Sequence, residues 1–200
     1  ELETRKHDLS FTTEFERGDE FNITISDEFE MLSRPFRIAP DVFLQPGDYD
    51  FTSYQLAYRL GTQRRFSGRV SLRAGDFWSG TNKAIGISGG RIELSPQLSV
   101  EPSYSYNRIE LPEGDFRTEL GRLRVTYTIS PRMYFSGLVQ YNSTQDSFST
   151  NFRFRWEWAP GSEMFVVYSD DRDTDPFGDP RGMELRNRGW AIKINRLFQI

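Results

Sequence analysis

Two hundred residues suit one soluble domain or one mid-sized barrel, and 25 basic against 29 acidic side chains leave a net charge of −4. That balance argues against nucleic acid or another polyanion as partner, and the absence of cysteine excludes disulfides and thiolate metal sites. No apolar run approaches the roughly 18 residues that a membrane helix needs, although this test does not apply to membrane strands, half of whose side chains face a wet interior.

The chain opens with Glu1-Leu2-Glu3, without initiator Met or signal peptide, and reads as a mature or truncated product whose export signal would lie upstream. Period-two runs between turn signals then predict about eleven strands and almost no helix. Strands 7–16 and 20–31 set Leu9, Phe11 and Phe15 against Ser10, Thr12 and Glu14, and Phe21, Ile23, Ile25 and Phe29 against Asn22, Thr24, Ser26 and Glu28. Strands 51–60 and 64–74 set Tyr54, Leu56, Tyr58 and Leu60 against Gln55 and Arg59, and Phe66, Val70 and Leu72 against Arg65, Arg69 and Arg73. The run 83–94 is rich in Gly and Ser and patterns weakly, which suits a bent or bulged strand. Strands 97–108, 117–129 and 132–142 resume the alternation, with Leu123, Val125, Tyr127 and Ile129 opposite Arg122, Arg124 and Thr128.

The strongest pattern spans 147–159, where Phe148, Phe152, Phe154, Trp156 and Trp158 share one face and Asn151, Arg153, Arg155 and Glu157 the other. A soluble sandwich strand alternates too, but its apolar side is usually aliphatic. A nearly all-aromatic face suits rings toward lipid and charged side chains toward a polar interior. Strands 163–169 and 186–199 complete the set, the last carrying Trp190, Ile192, Ile194, Phe198 and Ile200 in phase, as barrel-insertion machinery reads it in outer-membrane proteins.

Tight turns at 17–19, 61–63, 95–96, 130–131 and 160–161 alternate with longer links at 32–50, 75–82, 109–116, 143–146 and 170–185. Most predicted strands run to about ten residues, the length a tilted membrane strand needs, against about five or six in soluble proteins. The expected fold is all-β: one domain over 1–200, an antiparallel up-and-down transmembrane β-barrel of about 10–12 strands with short periplasmic turns and longer extracellular loops. An odd count puts the first and last strands in the same direction, so either a strand is hidden at 36–44, despite Pro35 and Pro40, or this is the C-terminal part of a longer barrel.

The segments Leu111-Pro-Glu-Gly-Asp-Phe116, Leu138-Val-Gln-Tyr-Asn-Ser143, Arg155-Trp-Glu-Trp-Ala-Pro-Gly-Ser162 and Phe165-Val-Val-Tyr168 resemble the C-terminal region of the DUF5916 family of bacterial outer-membrane proteins. The likeness covers residues 6–200. It implies the barrel and an association with saccharides at the cell surface, because members often carry an N-terminal module similar to family 9 carbohydrate-binding domains; this chain shows no such module. It offers no catalytic residues to carry over.

The binding candidates are Arg59, Arg69, Arg122, Arg124, Arg153, Arg155 and Glu157, all on the inward phase. Rings of arginine would favour anions in a pore, while cross-strand pairing would fill a narrow barrel with a network. His7, the one histidine, shares the Leu9 and Phe11 phase and is the single candidate for a hydrolase site at a barrel rim. Glu113 and Asp115 form a weak carboxylate pair, and Asp171, Asp173 and Asp175 have the spacing of a calcium loop without its glycine or its downstream Glu. No cofactor is expected. The sequence reads as a bacterial outer-membrane platform or narrow pore, in contact with lipid, for a saccharide or small anion; a rim hydrolase and a soluble lipid-binding barrel are the alternatives.

Overall fold

The computed structural model describes residues 3–174 and 183–197. It is an all-β, antiparallel, up-and-down protein, with no helix among the described residues. In chain order the strands are β1 (Thr4–Glu14), β2 (Glu20–Leu32), β3 (Phe36–Ala39), β4 (Val42–Leu44), β5 (Gly47–Leu60), β6 (Phe66–Phe77) and β7 (Gly80–Ser95). They continue with β8 (Leu98–Glu110), β9 (Phe116–Ser130), β10 (Met133–Asn142), β11 (Ser147–Ala159), β12 (Ser162–Asp173) and β13 (Glu184–Asn195). Eleven of them form one sheet in the order β1-β2-β5-β6-β7-β8-β9-β10-β11-β12-β13, and β3 with β4 forms a separate hairpin. The strands of the large sheet have 10 to 16 residues, and the weakly patterned Gly-rich run is the longest of them.

Four expectations need correction. Residues 36–44 are not a hidden strand of the large sheet: Pro40 fixes one turn dihedral, Asp41 takes a left-handed φ of 61°, and the segment folds back on itself as β3–β4. The link expected at 75–82 shrinks to Trp78 and Ser79, with Trp78 at φ 51°. Its unfavourable backbone is held by rings on several sides, Tyr49 at 5.3 Å and Phe51 at 5.7 Å. Alternation of short and long connections is therefore weaker than the sequence suggests. Finally, β12 runs through Asp170–Asp173, which the sequence pattern places in a loop, and β13 occupies Glu184–Asn195. Phe198 and Ile200 lie outside the described residues.

Two compact units divide the chain, one holding residues up to Ser88 with Ser105–Thr118, the other Gly89–Tyr104 with residues from Glu119 on. In the first unit, Val42 and Leu44 of the hairpin pack with Ile109 and Leu111 into a buried apolar cluster, flanked by Leu32, Ile38, Phe77 and Trp78. Its neighbouring turns 15–19 and 61–65 are joined through the buried carboxylate of Asp19. That group accepts hydrogen bonds from Gly61 N–H (2.9 Å), Tyr58 Oη (3.0 Å) and Arg64 Nη2 (2.5 Å). The Gly61 N–H foremost, then Tyr58 and Arg64, holds the Asp19 carboxyl below its ordinary pKa against the opposing effect of burial.

In both units, register keeps the apolar phase on one face. Leu9 stands opposite Ile25 and Ile25 opposite Tyr54 in the first; Phe135, Phe154, Val166 and Ile192 form one row in the second. These faces are uncovered: Leu9 is 71% exposed, Phe11 63%, Trp190 70% and Ile192 66%.

Candidate functional site

The opposite, polar face differs between the units. In the first, register forms rows Lys6–Glu28, Asp8–Ser26–Ser53, Ser10–Thr24–Gln55 and Thr12–Asn22–Ala57. Nearly every row is closed by its own contacts. Lys6 Nζ reaches Glu28 Oε1 at 2.8 Å, Ser26 Oγ donates to Asp8 at 2.6 Å, Asn22 Nδ2 to Thr12 Oγ1 at 2.8 Å, and Arg73 Nη2 to Gln55 Oε1 at 3.0 Å. Arg59 and Arg69 belong here and stand directly opposite each other on β5 and β6. Arg59 is relieved by Glu20 at 3.4 Å; Arg69 makes no ion pair among the described residues. In this unit most polar rows are thus bonded across the strands, with Arg69 the exception among the candidates.

In the second unit, β9, β10 and β11 place three polar-face rows side by side: Arg124–Leu138–Asn151, Thr126–Ser136–Arg153 and Thr128–Tyr134–Arg155. Arg155 is neutralised at the short-turn end, with Nε 2.9 Å and Nη2 2.8 Å from Glu163 and Nη2 3.4 Å from Glu157. Glu157 also accepts from Gly161 N–H at 3.3 Å. Arg155 and Glu157 are thus a structural cluster, completed by Glu163, which sequence reading did not single out.

Arg124 and Arg153 are different. Both are exposed, and among the described residues neither has a carboxylate within ion-pair distance. They flank a recess of about 340 Å³ whose walls also carry Thr126, Tyr134, Ser136 and Asn151. Their Cα atoms lie two strand spacings and two residues apart, about 12 Å, which two long guanidinium arms can span to converge on one anion. The hydroxyl and amide groups between them can donate to or accept from a polyhydroxylated molecule. Asn151 itself donates to Ser169 Oγ at 2.9 Å, which fixes its amide at the edge of the recess. Arg122 lies one row further toward the 143–146 link, exposed and likewise without an ion pair among the described residues. Sequence reading counted charge only and so passed over Thr126, Tyr134 and Ser136; their shared phase with Arg124 and Arg153 was the available signal.

Other candidates fall elsewhere. His7 lies opposite Asp27 on the exposed apolar face of β1 and has no hydrogen-bond partner among the described residues. Glu113 accepts from Ser79 Oγ at 2.5 Å, and Asp115 lines a separate recess with Arg108 and Arg117. Asp171 and Asp173 sit on β12 rather than in a loop, and Asp173 pairs with Arg186 at 2.6 Å. Asp175 lies outside the described residues. Among the described residues, no group of three or more His, Cys, Asp or Glu could hold a metal ion.

No family model matches the chain, and no curated protein matches it. Among solved structures, a chain described as the NanC porin in a rhombohedral crystal form is 12% identical, with 98% of this chain and 94% of that chain covered and a TM-score of 0.39. At that level of superposition the likeness carries no inference about this chain.

Proposed function

We propose that the chain is a bacterial outer-membrane β-barrel protein whose polar face lines a narrow passage or seat for a small anionic solute. One observation carries the reading: strands of 10 to 16 residues present an uncovered aromatic and aliphatic face on one side and unpaired guanidiniums on the other. Contiguous exposed apolar surface on this scale suits lipid rather than water. Arg124 and Arg153 supply positive potential that no described carboxylate cancels, and the surrounding hydroxyls suit a ligand that carries its own hydroxyls. The resemblance to the DUF5916 C-terminal region adds a saccharide as the solute class.

Two measurements test it. The protein should float with outer membranes and migrate faster in detergent gels before heating than after; recovery as a detergent-free soluble species would refute membrane placement. In planar bilayers it should conduct with anion preference. Membrane insertion without conductance, together with no binding of acidic or neutral oligosaccharides, would refute the passage.

A further inference from the structure

The polar recess leaves one charged cluster unexplained, because it stands on the opposite, apolar face. On β10 to β13 four rings form a continuous row. Phe135 and Phe152 stack with centroids 5.8 Å apart, Phe152 and Tyr168 at 6.3 Å, and Tyr168 meets Trp190 at 4.6 Å. Together with Phe154 and Val166 they line an apolar groove of about 360 Å³. Immediately beyond it on the same face, at the end where β12 leads into the 174–183 link, Asp170 is 5% exposed. It accepts from Tyr168 Oη at 3.1 Å, Arg172 Nε at 2.6 Å and Arg188 Nε at 2.8 Å.

One carboxylate cannot neutralise two guanidiniums, so the cluster keeps a net positive charge. Arg172 and Arg188 remain 36% and 46% exposed in their side chains. Each guanidinium has five donors, and Asp170 engages only some of them. Tyr168 belongs to both layers, its ring in the groove and its hydroxyl on Asp170. Two residues along a strand span about 6–7 Å, so the cationic layer adjoins the apolar one without a gap. An amphiphile whose anionic head lies close to the start of its acyl tail matches that sequence of surfaces. Guanidinium pairs bind phosphate oxygens in bidentate fashion, and the cluster's net positive charge favours a phosphate head without a cation of its own over a zwitterionic or neutral head.

We propose that the apolar face of β10–β13 is a binding site for one anionic, phosphate-headed lipid, with its acyl chain in the Phe152–Tyr168–Trp190 groove and its phosphate on Arg172 and Arg188. The site rests on the membrane placement proposed above but not on passage of any solute.

The test uses the full chain in nonionic detergent with lipids brominated on the acyl chain, which quench nearby tryptophan fluorescence. Brominated phosphatidic acid should quench at concentrations at least fivefold lower than brominated phosphatidylcholine. Arg188→Gln, which leaves Asp170 bonded to Arg172 and Tyr168, should reduce that preference severalfold. The triple change Asp170→Asn, Arg172→Gln, Arg188→Gln, which removes the net charge without stranding a buried carboxylate, should abolish it. Arg124→Gln on the other face should leave it unchanged. Equal quenching by the two lipids, or a preference that survives the triple change in a protein that still migrates as folded, would overturn the lipid site alone. Displacement of phosphatidic acid by equimolar inorganic phosphate would overturn it in favour of a soluble-anion site. Quenching by neither lipid would overturn the membrane placement itself.

Discussion

The two units are built on one strand pattern and use it differently. The first buries apolar side chains, with Leu44 wholly enclosed against Val42, Ile109 and Leu111, and pairs off most of its polar face. Among the described residues the second buries no large apolar side chain; its buried groups include Ser162 and Asp170, and its polar face leaves Arg124 and Arg153 open. Order in the first comes from packing and from short cross-strand bonds. In the second it comes from ladder hydrogen bonds, ring rows and charge clusters, which leaves cationic groups available for a ligand.

The contrast breaks most readily at Leu44. Leu44→Ala opens a cavity in an enclosed cluster and should lower stability by about 2–5 kcal/mol, read as a denaturant midpoint in detergent. A change below about 0.5 kcal/mol would mean that the hairpin does not anchor the first unit. Next comes the open pair. Arg124→Glu with Arg153→Glu should shift the anion-to-cation permeability ratio by roughly tenfold, about 1.4 kcal/mol, whereas Arg59→Gln in the paired face should leave the ratio nearly unchanged. Reversal potentials measure both, and equal effects would erase the difference between the faces.

A third test uses pH. The Asp19 carboxyl is held below its ordinary value by Gly61, Tyr58 and Arg64, so its contribution is complete above the ordinary aspartate pKa of about 3.9. It is lost as pH falls through the lower folded value. Stability should therefore drop between pH 5 and pH 2 more steeply in the wild type than in Asp19→Asn, and parallel pH profiles would count against the turn staple. The smallest effect is expected at Lys6. Its pair with Glu28 is half exposed, and Lys6→Gln should cost no more than about 1 kcal/mol by the same midpoint measurement.

Much of this was legible in the residues because the period of a strand is local. Phe152, Phe154 and Trp156 alternate with Arg153, Arg155 and Glu157, and no other element converts that pattern into two opposite faces. Less legible was anything that depends on a partner strand. Asp170-Asp-Arg-Asp173 reads as a solvated loop until Arg172, Arg186 and Arg188 supply the counter-charges that let it extend β12. Arg155 and Arg153 look equivalent in sequence, two residues apart on one face. Glu163 across the turn neutralises the first, and no described carboxylate reaches the second.

The sequence by itself determined the all-β class, the two-faced strands and their approximate number, since alternation and turn residues are fixed by covalent order. Only the tertiary structure decided that residues 36–44 cap the first unit as a hairpin, that Asp19 joins two turns, and which arginines are spent on carboxylates and which stay open. Those outcomes depend on register between strands, where a shift of one residue exchanges the faces and replaces every partner.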